Sequence, residues 1–193
     1  MFHQYVHNIK YDLKNEEITI PQFSKEQNTL IKSIGQFIYQ NDNIYLTTNI
    51  RKLWNNFDQK LINFEQYLSI LKELHQKGLL DIKFLEDPIY SSVIVSPYLM
   101  FIFYKHYLQE FEKVLQLIIF EIKEKETYDS FKIAQNIGVK LVVVNNILDY
   151  MRIKGIANLM RYSGTPLPGG KSFIILNFDK QKLESFIKET ISV

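Results

Sequence analysis

The chain has 193 residues, of which 46% are hydrophobic and 23% are charged, and this balance argues against a disordered protein. Its formal net charge of +2 does not favour a protein dominated by phosphate contacts, and the absence of cysteine excludes disulfides and thiolate metal sites. No apolar run reaches the ~20 residues that a membrane-spanning helix needs, so we expect no membrane partner.

The first half of the chain predicts one compact domain after a short leading segment. Residues 1–26 are expected to form an extended N-terminal segment, which a capping-box pattern connects to a first helix. A long helix with one apolar face is predicted over Asn63–Lys77, and Gly78 ends it. Two strand-like runs follow, separated by a Glu-Asp-Pro turn. Two helices and a hairpin are the order of a winged helix, which we place at residues 24–97.

The second half repeats this order. The stretch Tyr98–Glu126 is strongly helical, with apolar residues at three- and four-residue steps. A short helix is predicted over Ser130–Ile137, and a longer one over Lys140–Lys154, which ends at Gly155. Two strand-like runs then flank a loop rich in glycine and proline. We place a second winged helix at residues 98–193.

A weak internal repeat supports two related domains. Lys77-Gly78-Leu79 matches Lys154-Gly155-Ile156 at an offset of 77 residues. At this offset the apolar positions of two predicted helices also align. Leu30, Ile31, Ile34 and Phe37 correspond to Tyr107, Leu108, Phe111 and Val114. The predicted fold class is therefore α+β, mostly helical, with tandem winged helix-turn-helix domains.

Residues for catalysis or metal binding are sparse. His3 and His7 are four residues apart, but no third ligand accompanies them. The run from Gly169 to Ser172 resembles the end of a phosphate-binding loop, yet a strand rather than a helix follows it. We therefore predict no enzyme, no cofactor and no metal.

The helix that begins at Lys140 is unusually apolar. Val143, Ile147 and Met151 are able to face the core from one side of this helix. Leu141, Val142 and Val144 are then not all able to face it as well, so we expect an apolar outer face. An apolar residue on the outer face is typical of a protein contact. The sequence therefore favours a protein partner over duplex DNA.

The nucleic-acid interpretation stays open beside it. Asparagines early in a second helix are suited to base edges, basic residues nearby to phosphates, and Tyr162 or Phe173 to stacking with single-stranded DNA. The predicted wing tip, Ser163–Gly170, is the expected place for a remaining contact with nucleic acid or a partner. The candidate partner or nucleic-acid contacts are Lys140, Val142, Asn145, Asn146, Arg152, Arg161, Tyr162 and Lys171.

Charge decides against the first domain as a DNA reader. Residues 27–97 carry seven basic and seven acidic side chains, and the predicted second helix includes Glu65 and Glu73. Residues 98–193 carry 13 basic and 10 acidic groups, a small excess.

The stretch Glu26–Pro97 resembles the C-terminal winged helix of the middle subunit of replication protein A and of its telomeric counterpart. The resemblance depends mainly on the residues FEQYLSILKELHQKGLLDIKFLEDPIYSSVIVSP. Two such domains in tandem resemble the C-terminal half of the Stn-type subunit of the telomeric CST complex. The usage of Asn, Lys, Ile and Tyr is similar to that of AT-rich protists such as ciliates, where this complex accompanies telomerase.

The resemblance implies a nuclear, telomeric, non-enzymatic role. The chain is then expected to dock other subunits of a telomere or replication complex, polymerase α–primase or telomerase, with weak or indirect contact to single-stranded DNA. One alternative is a tandem winged-helix DNA-binding protein, either a replication initiator or a transcription regulator. Another is a trafficking scaffold of the ESCRT-II type, although its Pro-rich N-terminal hook is missing.

Overall fold

The computed structural model describes residues 11–14, 16, 18–41, 47–162 and 172–191, apart from the side chain of Tyr162. The protein is α+β and 57% helical, with small antiparallel sheets, which confirms the expected class. Two compact units are present: a first unit, Asn15–Tyr107, and a second unit, Leu108–Val193 together with Met1–Lys14.

The two units have a similar order of elements. The first contains α1 (Lys25–Gln40), β1 (Thr47–Asn49), α2 (Ile50–Asn55), α3 (Phe64–Gln76), β2 (Leu80–Lys83), β3 (Ser92–Val95) and α4 (Pro97–Tyr107), with a 3-10 turn at Pro88–Tyr90. The second contains α5 (Phe111–Lys123), α6 (Ser130–Ile137), α7 (Leu141–Ile153), β4 (Ala157–Tyr162), β5 (Ser172–Phe178) and α8 (Lys180–Thr190).

In the first unit, three short strands form a small antiparallel sheet. The strand order is β1-β3-β2, all antiparallel, with Thr48 opposite Val93 and Val93 opposite Ile82. Val93 and Ile82 are buried, whereas Ile94 on the other face is exposed, as the period-two geometry of a strand requires. The sheet therefore has one core face and one solvent face.

The first helix begins at the predicted capping box. Ser24 Oγ accepts the Gln27 N–H at 3.2 Å, and Gln27 Oε1 accepts the Ser24 N–H at 3.3 Å. The buried Asn28 then holds the preceding segment, since its side chain accepts the Ile20 N–H and donates to the carbonyls of Ile20 and Phe23. Residues 20–23 are thereby attached to α1 through hydrogen bonds between their backbone and the Asn28 side chain.

The helix α4 is part of the first unit, not the beginning of the second. Gly35 of α1 and Phe103 of α4 are in such close contact that a Cβ at position 35 would overlap the phenyl ring. Tyr107 also donates its hydroxyl to the Ile18 carbonyl at 3.0 Å. The expected boundary at residue 98 thus differs from the observed one after Tyr107, because α4 supplies core side chains to α1.

The end of α3 and the end of α7 have the same geometry. Gly78 and Gly155 adopt φ values of 70° and 67°, which favour glycine over residues with a side chain. The Leu79 N–H reaches back to Leu74 O at 3.0 Å, and the Ile156 N–H to Met151 O at 2.9 Å. Both are Schellman motifs, and both turn the chain from a helix directly into a hairpin.

The offset of 77 residues holds for α3 and α7 but not for the helices before them. Tyr107 ends α4 and Leu108 pairs with Leu13, so the predicted match of α1 to residues 107–114 was wrong. The buried positions of α1 correspond instead to those of α5 at an offset of 84, as from Leu30 to Val114. The connection from α6 to α7, residues 138–140, is five residues shorter than residues 56–63 between α2 and α3, and this accounts for five of the seven residues by which the two offsets differ.

In the second unit, a buried carboxylate organises the segment between α5 and α6. Glu121 is 2% exposed, and its oxygens accept from Lys125 Nζ at 2.6 Å, Asn136 Nδ2 at 2.7 Å and Thr127 Oγ1 at 3.1 Å. Burial alone raises the pKa of the Glu121 carboxyl, but these three hydrogen bonds and the charge of Lys125 outweigh it, so the net pKa is lowered.

We predict that Gly35→Ala destabilises the first unit. The added methyl group forces Phe103 out of place, and overpacking of this kind costs about 1–3 kcal/mol, more than the gain in helix propensity. Urea unfolding measures the change. The exposed Gln40→Ala on the same helix is the control, and equal stability of the two variants would contradict the packing of α4 on α1.

We predict that Glu121→Gln lowers the free energy of unfolding by about 1–3 kcal/mol at pH 7, because it weakens three buried hydrogen bonds. The stability that ionised Glu121 contributes is complete above the unfolded-state pKa of about 4.3 and disappears as the pH falls through the lower folded pKa. The wild type and the variant should therefore converge in acid.

Urea unfolding at pH 7 and at about pH 3 tests this convergence. Glu112→Gln, an exposed change on the same helix, serves as the control and should behave like the wild type at both pH values. A difference between wild type and Glu121→Gln that does not depend on pH would refute the role of the charge.

Candidate interaction surface

The outer face of α3 is polar and slightly acidic. Its exposed side chains are Glu65, Gln66, Ser69, Lys72, Glu73 and Gln76. Glu73 is held in a polar chain, in which Gln27 Nε2 donates to Glu73 at 2.7 Å and Lys77 Nζ donates to Gln27 Oε1 at 3.2 Å. Two carboxylates and one ammonium group on this face do not match a phosphate backbone.

The hairpin that follows α3 carries exposed apolar side chains. Phe84, Leu85, Tyr90 and Ile94 are exposed by 41%, 50%, 58% and 47%, and we call these four residues the hairpin surface. The Phe84 ring lies edge-on to His75, with centroids 6.1 Å apart, and Lys72 Nζ lies 5.9 Å from its centre. Phe84 thus lies toward α3, whereas Ile94 is on the solvent face of the sheet, so the hairpin exposes apolar area on two sides. Large exposed apolar groups are typical of protein-binding surfaces.

The helix α7 does not have the apolar outer face that was expected. All residues from Leu141 to Met151 are buried, including Val142 at 0%, Asn145 at 1% and Asn146 at 2% exposure. In this structure these three candidates do not reach a partner or a base edge. Helical periodicity placed them on the outer face, but it does not report which neighbouring elements cover that face.

The basic candidates do not form one patch. Lys140 is the half-buried N-cap of α7, and Arg152 is engaged by Asp149, with Nε 2.6 Å from the carboxylate. Arg161 is exposed, and its guanidinium carbon lies 5.9 Å from the centre of the Phe173 ring. Phe173 itself is only 8% exposed, so it does not offer a face for base stacking.

Of the candidate Tyr162 the structure describes the backbone alone. Tyr162 is the last residue of β4 and pairs with Ser172. Lys171, the wing tip Ser163–Gly170 and the histidines His3 and His7 lie outside the described residues.

The described part of the chain contains no group of three metal-ligating side chains. His75 is turned toward its own hairpin, with Nδ1 2.9 Å from Leu80 O and 3.3 Å from the Ile82 nitrogen. Among the described ranges, no helix has both the length and the apolar character needed to cross a bilayer.

No protein-family model matches the chain, and neither a curated protein nor a solved structure is significantly similar to it.

We predict that Val142→Ala destabilises the second unit by about 1–3 kcal/mol, since it leaves a cavity at a fully buried position. Ile153→Ala, at a position that is 53% exposed on the same helix, should change stability by less than about 0.5 kcal/mol. Urea denaturation of both variants compares the two positions. A neutral effect at Val142 would restore the outer-face interpretation.

Proposed function

We propose that this chain is a non-enzymatic protein-docking module with two winged helix-turn-helix domains, and that it acts in a telomere or replication complex. The element order supports this assignment. In each unit a first helix precedes a short helix and a longer helix, the longer helix ends in a glycine Schellman turn, and an antiparallel hairpin follows.

The observation that carries the docking function is the character of the two longer helices. A helix that reads duplex DNA needs an accessible face with donors for base edges and with basic neighbours for phosphates. The accessible face of α3 carries Glu65 and Glu73, and α7 is buried from Leu141 to Met151. Neither helix therefore favours the major groove.

The hairpin surface of the first unit favours a protein partner. Tyr90 and Ile94 expose more than two fifths of their surface to solvent. Aromatic and aliphatic groups of this kind are the usual anchors of protein interfaces, where burial removes apolar area from water.

The biological setting rests on the resemblance of residues 26–97 to the winged helix of the middle subunit of replication protein A, and of the tandem to the Stn-type subunit of the CST complex. From it we infer nuclear partners within such a complex, with polymerase α–primase or telomerase among them. Contact with single-stranded DNA is then weak or indirect.

We predict weak duplex binding and partner capture that depends on the hairpin surface. At about 150 mM salt, fluorescence anisotropy should give a dissociation constant for duplex DNA in the non-specific range of roughly 10⁻⁴ to 10⁻⁶ M. Immobilised protein should capture nuclear partners, identified by mass spectrometry. Tyr90→Glu with Ile94→Glu should abolish this capture, and Leu61→Glu, at a position 58% exposed outside the hairpin, should not.

Sub-micromolar duplex affinity with a steep salt dependence would instead establish the DNA-binding alternative, which the exposed Arg161 and the small basic excess of residues 98–193 favour. In that case Lys140→Glu with Arg161→Glu should abolish binding. Lys132→Glu with Lys188→Glu makes the same change in net charge at two exposed positions and serves as its control.

A further inference from the structure

A groove of about 670 Å³ lies in the second unit, between the end of α5, the segment that leads to α6, the end of β5 and the start of α8. Its apolar lining includes Ile122, Tyr128, Leu176 and Phe178. Leu176 is 62% exposed and Tyr128 is 40% exposed. The groove therefore presents apolar surface beside the edge of a strand.

In the first unit, the sheet edge that corresponds to this edge of β5 is covered by a third strand. There, the side of β3 opposite β2 is occupied by β1, which pairs over the three residues Thr47–Asn49. In the second unit the corresponding described segment makes a bridge from Asp129 to Ile174 and a hydrogen bond from the Ile175 N–H to Tyr128 O, 2.8 Å long, and the Ser130 hydroxyl at the start of α6 accepts the Phe173 N–H at 2.8 Å. The third strand of this sheet is incomplete.

The buried Glu121 explains why this strand stops. Its backbone oxygen accepts the Thr127 N–H at 2.8 Å, and its carboxylate accepts the Thr127 hydroxyl at 3.1 Å. Thr127 is thereby held against α5 and does not continue along β5. Among the described residues, no strand pairs with Leu176–Phe178 on the side away from β4.

A β-bulge presents Leu176 at this edge. Ile175 pairs with Leu159 and Asn177 pairs with Asn158, so Leu176 is the additional residue between two regular pairs. A bulge of this kind redirects a side chain and leaves local backbone groups without a ladder partner. An apolar side chain and a strand edge are thus offered together.

The charged groups that line the groove give the sign of a complementary ligand. Glu124, Glu126 and Glu184 contribute three carboxylates, and Lys123 and Lys180 contribute two ammonium groups. The lining is net acidic, so a segment with basic residues is favoured over an acidic one.

We propose that the groove binds an extended segment of a partner protein in which apolar and basic residues alternate, and that this segment adds a strand to the edge of β5. Phe178, whose backbone faces away from β4 because the next residue, Asp179, donates its N–H to Ile156 O, offers main-chain hydrogen bonds in this arrangement. Alternate side chains of the added strand contact Leu176 or the glutamates. The proposal rests on the docking function above and specifies the chemistry of one ligand.

The test uses the full chain, labelled with ¹⁵N, and two capped hexapeptides, (Lys-Val)₃ and (Glu-Val)₃. The basic peptide should shift the amide signals of Tyr128 and Leu176–Phe178 and slow their hydrogen exchange, and the acidic peptide should not. Leu176→Glu should weaken binding of the basic peptide on the order of tenfold or more. Met160→Glu, at a position 47% exposed on β4 and absent from the groove lining, should leave binding unchanged.

A second pair of substitutions distinguishes a loss of binding from a local folding defect that Leu176→Glu could cause at the bulge. Glu124→Lys with Glu184→Lys should weaken the basic peptide and strengthen the acidic one, while the remaining amide signals stay in place. The absence of shifts at millimolar peptide, equal shifts from both peptides, or shifts at the same residues caused by self-association would overturn the proposal. Because duplex titration and partner capture are measured separately, they judge the docking function even when the peptides fail.

Discussion

The left-handed glycine turns at the ends of α3 and α7 are the constraint on which each unit depends. In both, a helix must stop, its last carbonyls must be satisfied, and the chain must reverse at once into a strand. Gly78 and Gly155 permit this with positive φ, and the apolar residue after each glycine returns to the core beside the end of the helix. The position of each hairpin relative to its helix follows from that turn.

From this shared frame the two units diverge in what they expose. The first leaves a polar, slightly acidic α3 and an apolar hairpin surface in contact with solvent. The second buries α7 completely up to Met151 and instead opens a groove where Glu121 diverts the chain from the edge of β5. The docking function proposed above would then use two different surfaces, one in each unit.

The local signals in the sequence predicted local structure well. The capping box at Ser24, the helix ends at Gly78 and Gly155, and the class of the fold depend on residues close in the chain, and the structure confirms them. The candidate site was harder to predict. Val142, Asn145 and Asn146 were expected on an accessible face, and they are buried, because a helical wheel identifies faces but not the elements that cover them.

By itself the sequence determined the start of α1, the ends of α3 and α7 with the chain reversals after them, and the near-neutral charge, since these follow from composition or from side-chain chemistry within a few residues. The predicted helical stretch Tyr98–Glu126, by contrast, consists of two helices, α4 and α5. Only the tertiary structure decided that α4 belongs to the first unit, that α7 is buried from Leu141 to Met151, and that Leu176 is the additional residue of a bulge beside an incomplete strand. These features depend on contacts between residues distant in the chain, such as Gly35 with Phe103 and Glu121 with Asn136, which no local pattern encodes.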